Sequence, residues 1–332
     1  MKSKFKKIFW FVLRIVLAAG IIGWLVYKNY DKLAEAVLKI NPLWLIPAVL
    51  LYALHIVAGA WRWQILLNIQ KIHLSFLESL SLTLQALFFS LVIPGGAVGG
   101  DLAKAGFIAA RTQKGERLKG VFTILIDRVI GMIALFALAG VVGIMSLKFL
   151  RSLSGIMELV IYALIFGCIM GLASAAALFF HRNLEKTSLF SWLISHGDRM
   201  SKGALHNLMN AMDNFRAEYR ILLFCFAISI LLIHLNIALV VYLIGHGTGA
   251  ENLTFQLSIL TSSLGNTVGA LPITPSGVGT RDFVFKELLS AGGITGQSLL
   301  IPLIYTSIFL CFNLFGGLIF IFSKKKNKQD LP

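Results

Sequence analysis

Asp101, Lys104, Asp127, Arg128, Arg281, Asp282 and Lys286 lie in or beside long apolar stretches of this chain. A charge at the centre of a membrane helix costs on the order of 2.5–3.5 kcal/mol even on insertion scales, so such residues are either locked in structural ion pairs or handle a charged solute. Asp101 and Lys104 are three residues apart, and Asp282 and Lys286 four. Both spacings let opposite charges meet on one helical face. Asp127 and Arg128 are adjacent and cannot face each other, so each needs a partner elsewhere. Asp101 with Arg128 and Asp127 with Lys104 are the pairings that balance charge, and Arg281 is left as an unpaired cation.

The two acids close copies of one motif. Pro94-Gly-Gly-Ala-Val-Gly-Gly-Asp101 and Pro275-Ser-Gly-Val-Gly-Thr-Arg-Asp282 both read P-[GS]-G-x-x-x-x-D. Pro94, Gly95, Gly96, Gly99 and Gly100 in the first, and Pro272, Pro275, Gly277 and Gly279 around the second, interrupt apolar sequence. Irregular backbone at membrane depth is tolerated only around a protein-lined or wet cavity. Two such breaks in corresponding positions of two halves point to a transport site; the competing reading is a pair of ordinary inter-helix turns. A helix beginning at 101 behind the first glycine group would present backbone N–H groups suited to a phosphate.

Other chemistries lack their residues. No G-x-x-x-x-G-K-[ST] motif, dinucleotide fingerprint in a strand-turn-helix context, Ser/His/Asp set, metal-spaced His/Cys cluster or cytoplasmic D-x-D pair occurs. Neither a metal nor a cofactor is expected, and the chain reads as a non-enzyme. Cys168, Cys225 and Cys311 are isolated in apolar sequence and read as packing residues.

The elements that must position these groups follow from composition. Apolar residues make up 57% of 332, charged residues 14%, and mean hydropathy is +0.82. Eight segments are candidates to enter the bilayer, most near the ~20 apolar residues that a crossing needs: 8–27, 42–60, 74–93, 121–147, 157–180, 221–244, 253–271 and 299–322. The basic N-terminus precedes an apolar stretch too long for a signal peptide, so an uncleaved first helix is expected. The net charge of +15 comes from basic residues flanking apolar segments, which speaks for anionic lipid rather than nucleic acid.

Charge asymmetry decides between two topologies. If all eight segments cross, 12 Lys and Arg fall in inside loops and 16 outside, against the positive-inside bias. If 74–110 and 253–291 are instead re-entrant hairpins, 20 fall inside and 5 outside. The expected fold is therefore an all-α polytopic membrane protein with about six full transmembrane helices and two oppositely oriented re-entrant hairpins. These form an inverted repeat, 42–147 and 221–322, within a single membrane domain spanning 1–332. Residues 181–220 are expected to form an amphipathic cytoplasmic connection, and 323–332 a basic disordered tail. Both termini then lie in the cytoplasm. His55 and His234 fall at loosely corresponding places, 39 and 41 residues before their prolines.

Arg62-Trp63, the Pro94-Gly-Gly…Gly-Gly-Asp101 motif, Asp127-Arg128 and Leu271-Pro-Ile-Thr-Pro-Ser-Gly-Val-Gly279 together resemble the lysylphosphatidylglycerol synthase transmembrane family. This family of flippase-like membrane domains includes proteins long labelled dolichol-phosphate-sugar synthetase-like. The resemblance spans essentially the whole chain. It implies a cytoplasmic (inner) membrane protein that moves a phosphate-bearing lipid, a phospholipid or lipid-linked precursor, between leaflets, without a cytosolic synthase domain. Membrane lipids are the implied partners; a separate lipid-modifying synthase and a second copy of the chain are further candidates, and nucleic acid is not expected. The alternatives are an enzyme or enzyme subunit acting on polyprenyl-phosphate-linked sugars, and a membrane scaffold for a synthase. Ser276 departs from the family pattern, standing where a second glycine is usual.

Overall fold

The computed structural model describes residues 40–93, 96–113, 116–153, 166, 169, 215–271 and 273–323. The expected first segment, the tail beyond residue 323 and the connection up to residue 214 lie outside the described residues. So does the segment 157–180 except at Phe166 and Ile169.

The described residues build helices and no strand. α1 (Pro42–Ile69) starts where the Asn41 side chain accepts the Leu43 N–H and Pro42 fills the first position, which has no partner for an N–H. Ser75 caps α2 (Phe76–Val92) in the same way, accepting from the Glu78 N–H. α3 (Ala97–Arg111), α4 (Arg117–Met145) and the short α5 (Leu147–Ser152) follow. The second half contains α6 (Tyr219–Gly247), α7 (Phe255–Gly269, capped by Thr254), α8 (Thr280–Ala291) and α9 (Leu300–Phe322). Among the described residues α1, α4, α6 and α9 are long and apolar enough to cross a membrane, and α2 is a shorter apolar helix. Large apolar side chains such as Leu43, Leu50, Ile144, Leu231 and Ile321 point outward from the four long helices. In water these would be an aggregation surface; against lipid they are solvated.

These four helices lie on the expected segments 42–60, 121–147, 221–244 and 299–322, with one difference of consequence. α1 runs nine residues past Ala60 and carries Arg62 and Trp63 into the bundle, where both are buried. The polar Trp61-Arg-Trp-Gln stretch lowers local hydropathy, yet Leu66 and Leu67 beyond it are fully buried and hold the extension in place.

Each half has the order long helix, helix–break–helix, long helix. At the first break α3 begins at Ala97, so Gly99 and Gly100 belong to its first turn instead of a preceding loop. Their role is close approach to α2: a Cβ on Gly100 would sit 2.5 Å from the Ala86 carbonyl oxygen, and one on Gly99 2.7 Å from that of Ile93. Gly96, at φ +59°, makes the turn. Pro94, Gly95 and Pro272 lie outside the described residues. At the second break a single 3₁₀ turn, Pro275–Gly277, leads to Gly279. Gly277 has φ +74°, and a Cβ there would meet the Gly269 backbone at 2.4 Å. Gly277→Ala combines left-handed strain with overpacking and should lower stability by about 1–3 kcal/mol, read as thermal unfolding in detergent.

α2 folds back on α3, and α7 on α8. α1 and α6 pack antiparallel: the Asn41 N–H donates to the Gly247 carbonyl at one end, while Arg62 reaches Ser229 near the other. The first arm of each hairpin also leans on the last long helix of the opposite half, α2 on α9 and α7 on α4. Gly316 and Gly317 let α2 come close, since a Cβ on either would overlap Leu84 or Phe88. Tyr52, Ile56, Val240, Val241, Phe285, Ile301 and Tyr305 fill the core between α1, α6, α8 and α9.

The two breaks touch. Ser90 Oγ and Ser276 Oγ are 2.8 Å apart, and a Cβ on Gly96 would lie 3.1 Å from the Ser276 nitrogen. Ser276 holds a left-handed conformation, φ 50° and ψ 27°, which costs a non-glycine residue about 1–2 kcal/mol. Its hydroxyl bond to Ser90 returns about 0.5–1.5 kcal/mol. Ser276→Gly should therefore leave stability within about 1 kcal/mol of parental, whereas Ser90→Ala should only destabilise. Detergent melting curves of the two variants distinguish these outcomes.

Candidate functional site

Two clusters of charge form, one beside each hairpin. The first joins α1, α3, α4 and α6. Arg62 Nε donates to Asp127 Oδ1 at 2.8 Å, Nη2 to the Asp127 carbonyl at 3.1 Å, and Nη1 to Ser229 Oγ at 2.6 Å. Ser229 opens a π-helical turn, Ser229–His234, within α6; such turns re-aim side chains and recur at functional sites. The guanidinium lies flat on Gly131, where a Cβ would come within 3.3 Å of both terminal nitrogens. One residue further along α4, Arg128 Nε donates to Asp101 Oδ2 in a charge-assisted bond. Lys104 is buried, with Nζ 3.7 Å from the centroid of the Trp63 ring, a cation–π contact. The Trp63 indole N–H donates to Thr123 Oγ1 at 3.0 Å, which fixes the ring beneath the ammonium.

Arg62, Lys104 and Arg128 thus face two carboxylates, Asp101 and Asp127. Both acids are bonded to arginines, and Lys104 forms no ion pair with a carboxylate among the described residues. The cluster carries a buried excess positive charge. It is also graded in access: the side chains of Arg128 and Asp101 are 27% and 31% exposed, while Lys104 is only 6% exposed.

The second cluster is closed. Asp282 is fully buried; Oδ2 accepts the Gly279 N–H at 2.8 Å, capping α8, and Oδ1 accepts the Thr306 hydroxyl at 2.6 Å. Arg281, 4% exposed, donates to Thr306 Oγ1 and places Nε 3.6 Å from Asp282 Oδ1. Its guanidinium also covers the Tyr305 and Phe309 rings at 4.6 and 5.1 Å. One cation and one anion cancel, and the helix N-terminus is filled by its own carboxylate. In the first copy Asp101 has swung to Arg128, and α3 has no side-chain cap. The same motif therefore holds a partly exposed ion pair in one copy and a fully buried one in the other.

The expected Asp101–Arg128 pair is present, but three other expectations are corrected. Asp127 pairs with Arg62 rather than Lys104, because α1 extends far enough to bring a guanidinium against α4. Lys286 bonds Glu287 at 2.5 Å rather than Asp282, whose oxygens are already taken by Thr306 and Gly279. Arg281 is not an unpaired cation, since Asp282, Thr306 and two rings enclose it. Arg62, Trp63, Ser229 and Thr306 complete the two clusters. The sequence signals that Asp127 needs a cation, but Lys119, Arg117 and Lys104 all stand nearer to it in the chain than Arg62, so only the docking of α1 on α4 selects Arg62.

Asp101 and Arg128 are tied but partly exposed, so Asp101→Asn should cost about 1–3 kcal/mol, between the surface and buried cases. Combining it with Arg128→Gln should restore part of that loss. Strictly additive melting shifts would show that the two side chains are not coupled.

The family model described as Lysylphosphatidylglycerol synthase TM region matches residues 11–317. A UPF0104 membrane protein of Pyrococcus horikoshii is 22% identical over 128 residues, which are 39% of this chain and 37% of the relative. The matched region thus spans little more than a third of that protein's length. No solved structure matches the chain.

Proposed function

The chain belongs to the lysylphosphatidylglycerol synthase TM region family, and from that premise we propose that it moves a phosphate-bearing membrane lipid between leaflets. The observation that carries this reading is Lys104, a buried ammonium held on Trp63 with no carboxylate bonded to it, beside the partly exposed Arg128. Asp127 and Asp101 act on Lys104 only from beyond bonding distance, each being bonded to an arginine, and a buried cation so placed gains from an anion that joins it. A lipid phosphate supplies that anion and can be gripped by Lys104 and by the free edge of the Arg128 guanidinium. The headgroup would pass along the polar seam where Ser90, Gly96 and Ser276 meet, while the acyl chains stay in the bilayer.

Alternating access then takes the form of an inverted repeat with re-entrant hairpins. The positive-inside balance, the antiparallel α1 and α6, and the crossed packing of α2 on α9 and α7 on α4 all support it. The sequence has no nucleotide-binding motif, so movement would be passive or coupled to an ion gradient. A separate synthase would supply the lipid.

Purified protein reconstituted in liposomes with acyl-labelled fluorescent phospholipid should make inner-leaflet label accessible to an external quencher. Turnover of a lipid-linked sugar donor instead would identify an enzyme, and neither activity would leave a scaffold. Lys104→Gln should slow phospholipid movement about 10- to 100-fold, the worth of a hydrogen bond to a charged group. Its melting temperature should fall only slightly, because Asp101 and Asp127 keep their arginine partners and the loss is confined to the cation–π contact with Trp63. Parental transport by this variant would remove Lys104 from the lipid path.

A further inference from the structure

The electrostatic cluster leaves one pair of titratable side chains without a task. His55 on α1 and His234 on α6 lie at corresponding places of the two halves, on helices that pack antiparallel, and act on each other electrostatically. His234 Nε2 is 2.9 Å from the Gly131 carbonyl oxygen, the same glycine on which Arg62 rests. His55 lies beside the backbone of Ile233, inside the π-helical turn that also positions Ser229 for Arg62. One nitrogen of His55, Nδ1, is sealed from solvent and has no partner among the described residues. A buried ring nitrogen without a partner is a costly vacancy for a purely structural residue. For a group that takes up a proton it is the acceptor.

The groups around the pair are accounted for by element. α1 contributes Tyr52, whose ring centroid is 5.6 Å from that of His55, and Arg62. α4 contributes Asp127, bound to Arg62. α6 contributes Cys225, whose carbonyl accepts from Ser229, and α9 contributes Tyr305, beside Tyr52. Among the described residues neither histidine has a carboxylate bonded to it, and Arg62 is the fixed charge that acts on both. A proton arriving on the pair would add a second cation beside Arg62. The Arg62–Asp127–Ser229 junction and the π turn would have to adjust to it, and they carry α1, α4 and α6 together.

We propose that His55 and His234 form the proton-binding site to which headgroup movement is coupled, with the π turn of α6 as the element that feels the added charge. The inference rests on the lipid-translocation reading. Proton uptake at His55 Nδ1 converts a neutral imidazole to imidazolium, and release on the opposite side returns it, so proton and charge balance over a cycle without a further reactant.

The test uses the full-length protein in liposomes that carry labelled phospholipid and a transmembrane gradient of one pH unit. One proton per lipid can sustain up to about a tenfold ratio between leaflets, since one pH unit corresponds to a factor of ten in the equilibrium. The expected result is a biased leaflet distribution that collapses to even when an ionophore dissipates the gradient. In His55→Gln/His234→Gln, label should still move but settle evenly; glutamine at 234 can keep the hydrogen bond that His234 Nε2 makes with the Gly131 carbonyl, and both changes remove the proton site. A parental protein that moves lipid but leaves it even across a gradient would overturn the coupling and leave the transport reading intact. A biased distribution in the double variant would equally overturn the assignment to these histidines. Absence of parental lipid movement would overturn both. Because the double variant is at risk of misfolding, each single variant is measured alongside it. Loss of bias with retained movement in either supports the site, and full bias in both contradicts it.

Discussion

Ser90→Cys combined with Ser276→Cys, in a background with Cys168, Cys225 and Cys311 replaced by serine, should form a disulfide and reduce lipid movement to the rate of protein-free liposomes. The two hydroxyl oxygens are 2.8 Å apart and link residues 186 positions apart in the chain. A disulfide needs sulfurs about 2.05 Å apart and Cβ atoms about 3.5–4.5 Å apart, so thiols at these places require only a small approach. In the proposed mechanism the hairpin tips close the seam, and a phosphate headgroup must part them to pass. A covalent tie at the tips therefore blocks the whole cycle, and a reductant should restore movement in the same sample. Parental transport by a quantitatively cross-linked protein would place the path elsewhere.

Arg62→Gln should be among the most damaging single changes in the membrane core, costing about 3–5 kcal/mol. The guanidinium satisfies Asp127 through its carboxylate and its backbone carbonyl and also binds Ser229, so it ties α1 to both α4 and α6. Glutamine keeps the volume in part but leaves the Asp127 carboxylate without its counter-charge in low dielectric. Arg62→Lys should recover only some of the loss, because one ammonium cannot reproduce the three-pronged fork resting on Gly131. Adding Asp127→Asn to Arg62→Gln should restore stability beyond either single variant. Detergent melting with size-exclusion recovery reads all four proteins. Equal melting temperatures for parental and Arg62→Gln would show that the junction contributes little.

The class of the protein and four of its long helices were legible because apolar runs near bilayer length leave few alternatives. The Asp101–Arg128 pair was legible for a similar reason, since membrane-depth charges must balance and few partners exist. Arg62 was hidden by the same hydropathy that revealed the helices. The window closes at Ala60, yet α1 continues because Arg62 is neutralised by a residue 65 positions away. The motif symmetry misled in a specific way. Asp101 and Asp282 occupy identical motif positions, but Thr306 of α9 and the Gly279 amide capture one acid, while Arg128 of α4 captures the other. Lys286 failed as a partner because four-residue spacing creates an opportunity only if the acid is unoccupied. The meeting of the breaks at Ser90 and Ser276 depends on how the two halves dock, which no local pattern encodes.

The central claim, that a phosphate headgroup is what this membrane site handles, is tested most directly by a competition within one liposome preparation. Two lipids with the same labelled acyl chains are compared, a phospholipid and a neutral glycolipid, each slow to cross a bare bilayer. Loss of inner-leaflet fluorescence to an external quencher is followed for both with parental protein and with Lys104→Gln. The account predicts that parental protein moves the phospholipid, leaves the glycolipid at the protein-free rate, and loses this preference in the Lys104 variant. Equal rates for the two lipids, or the same preference with and without Lys104, would contradict it.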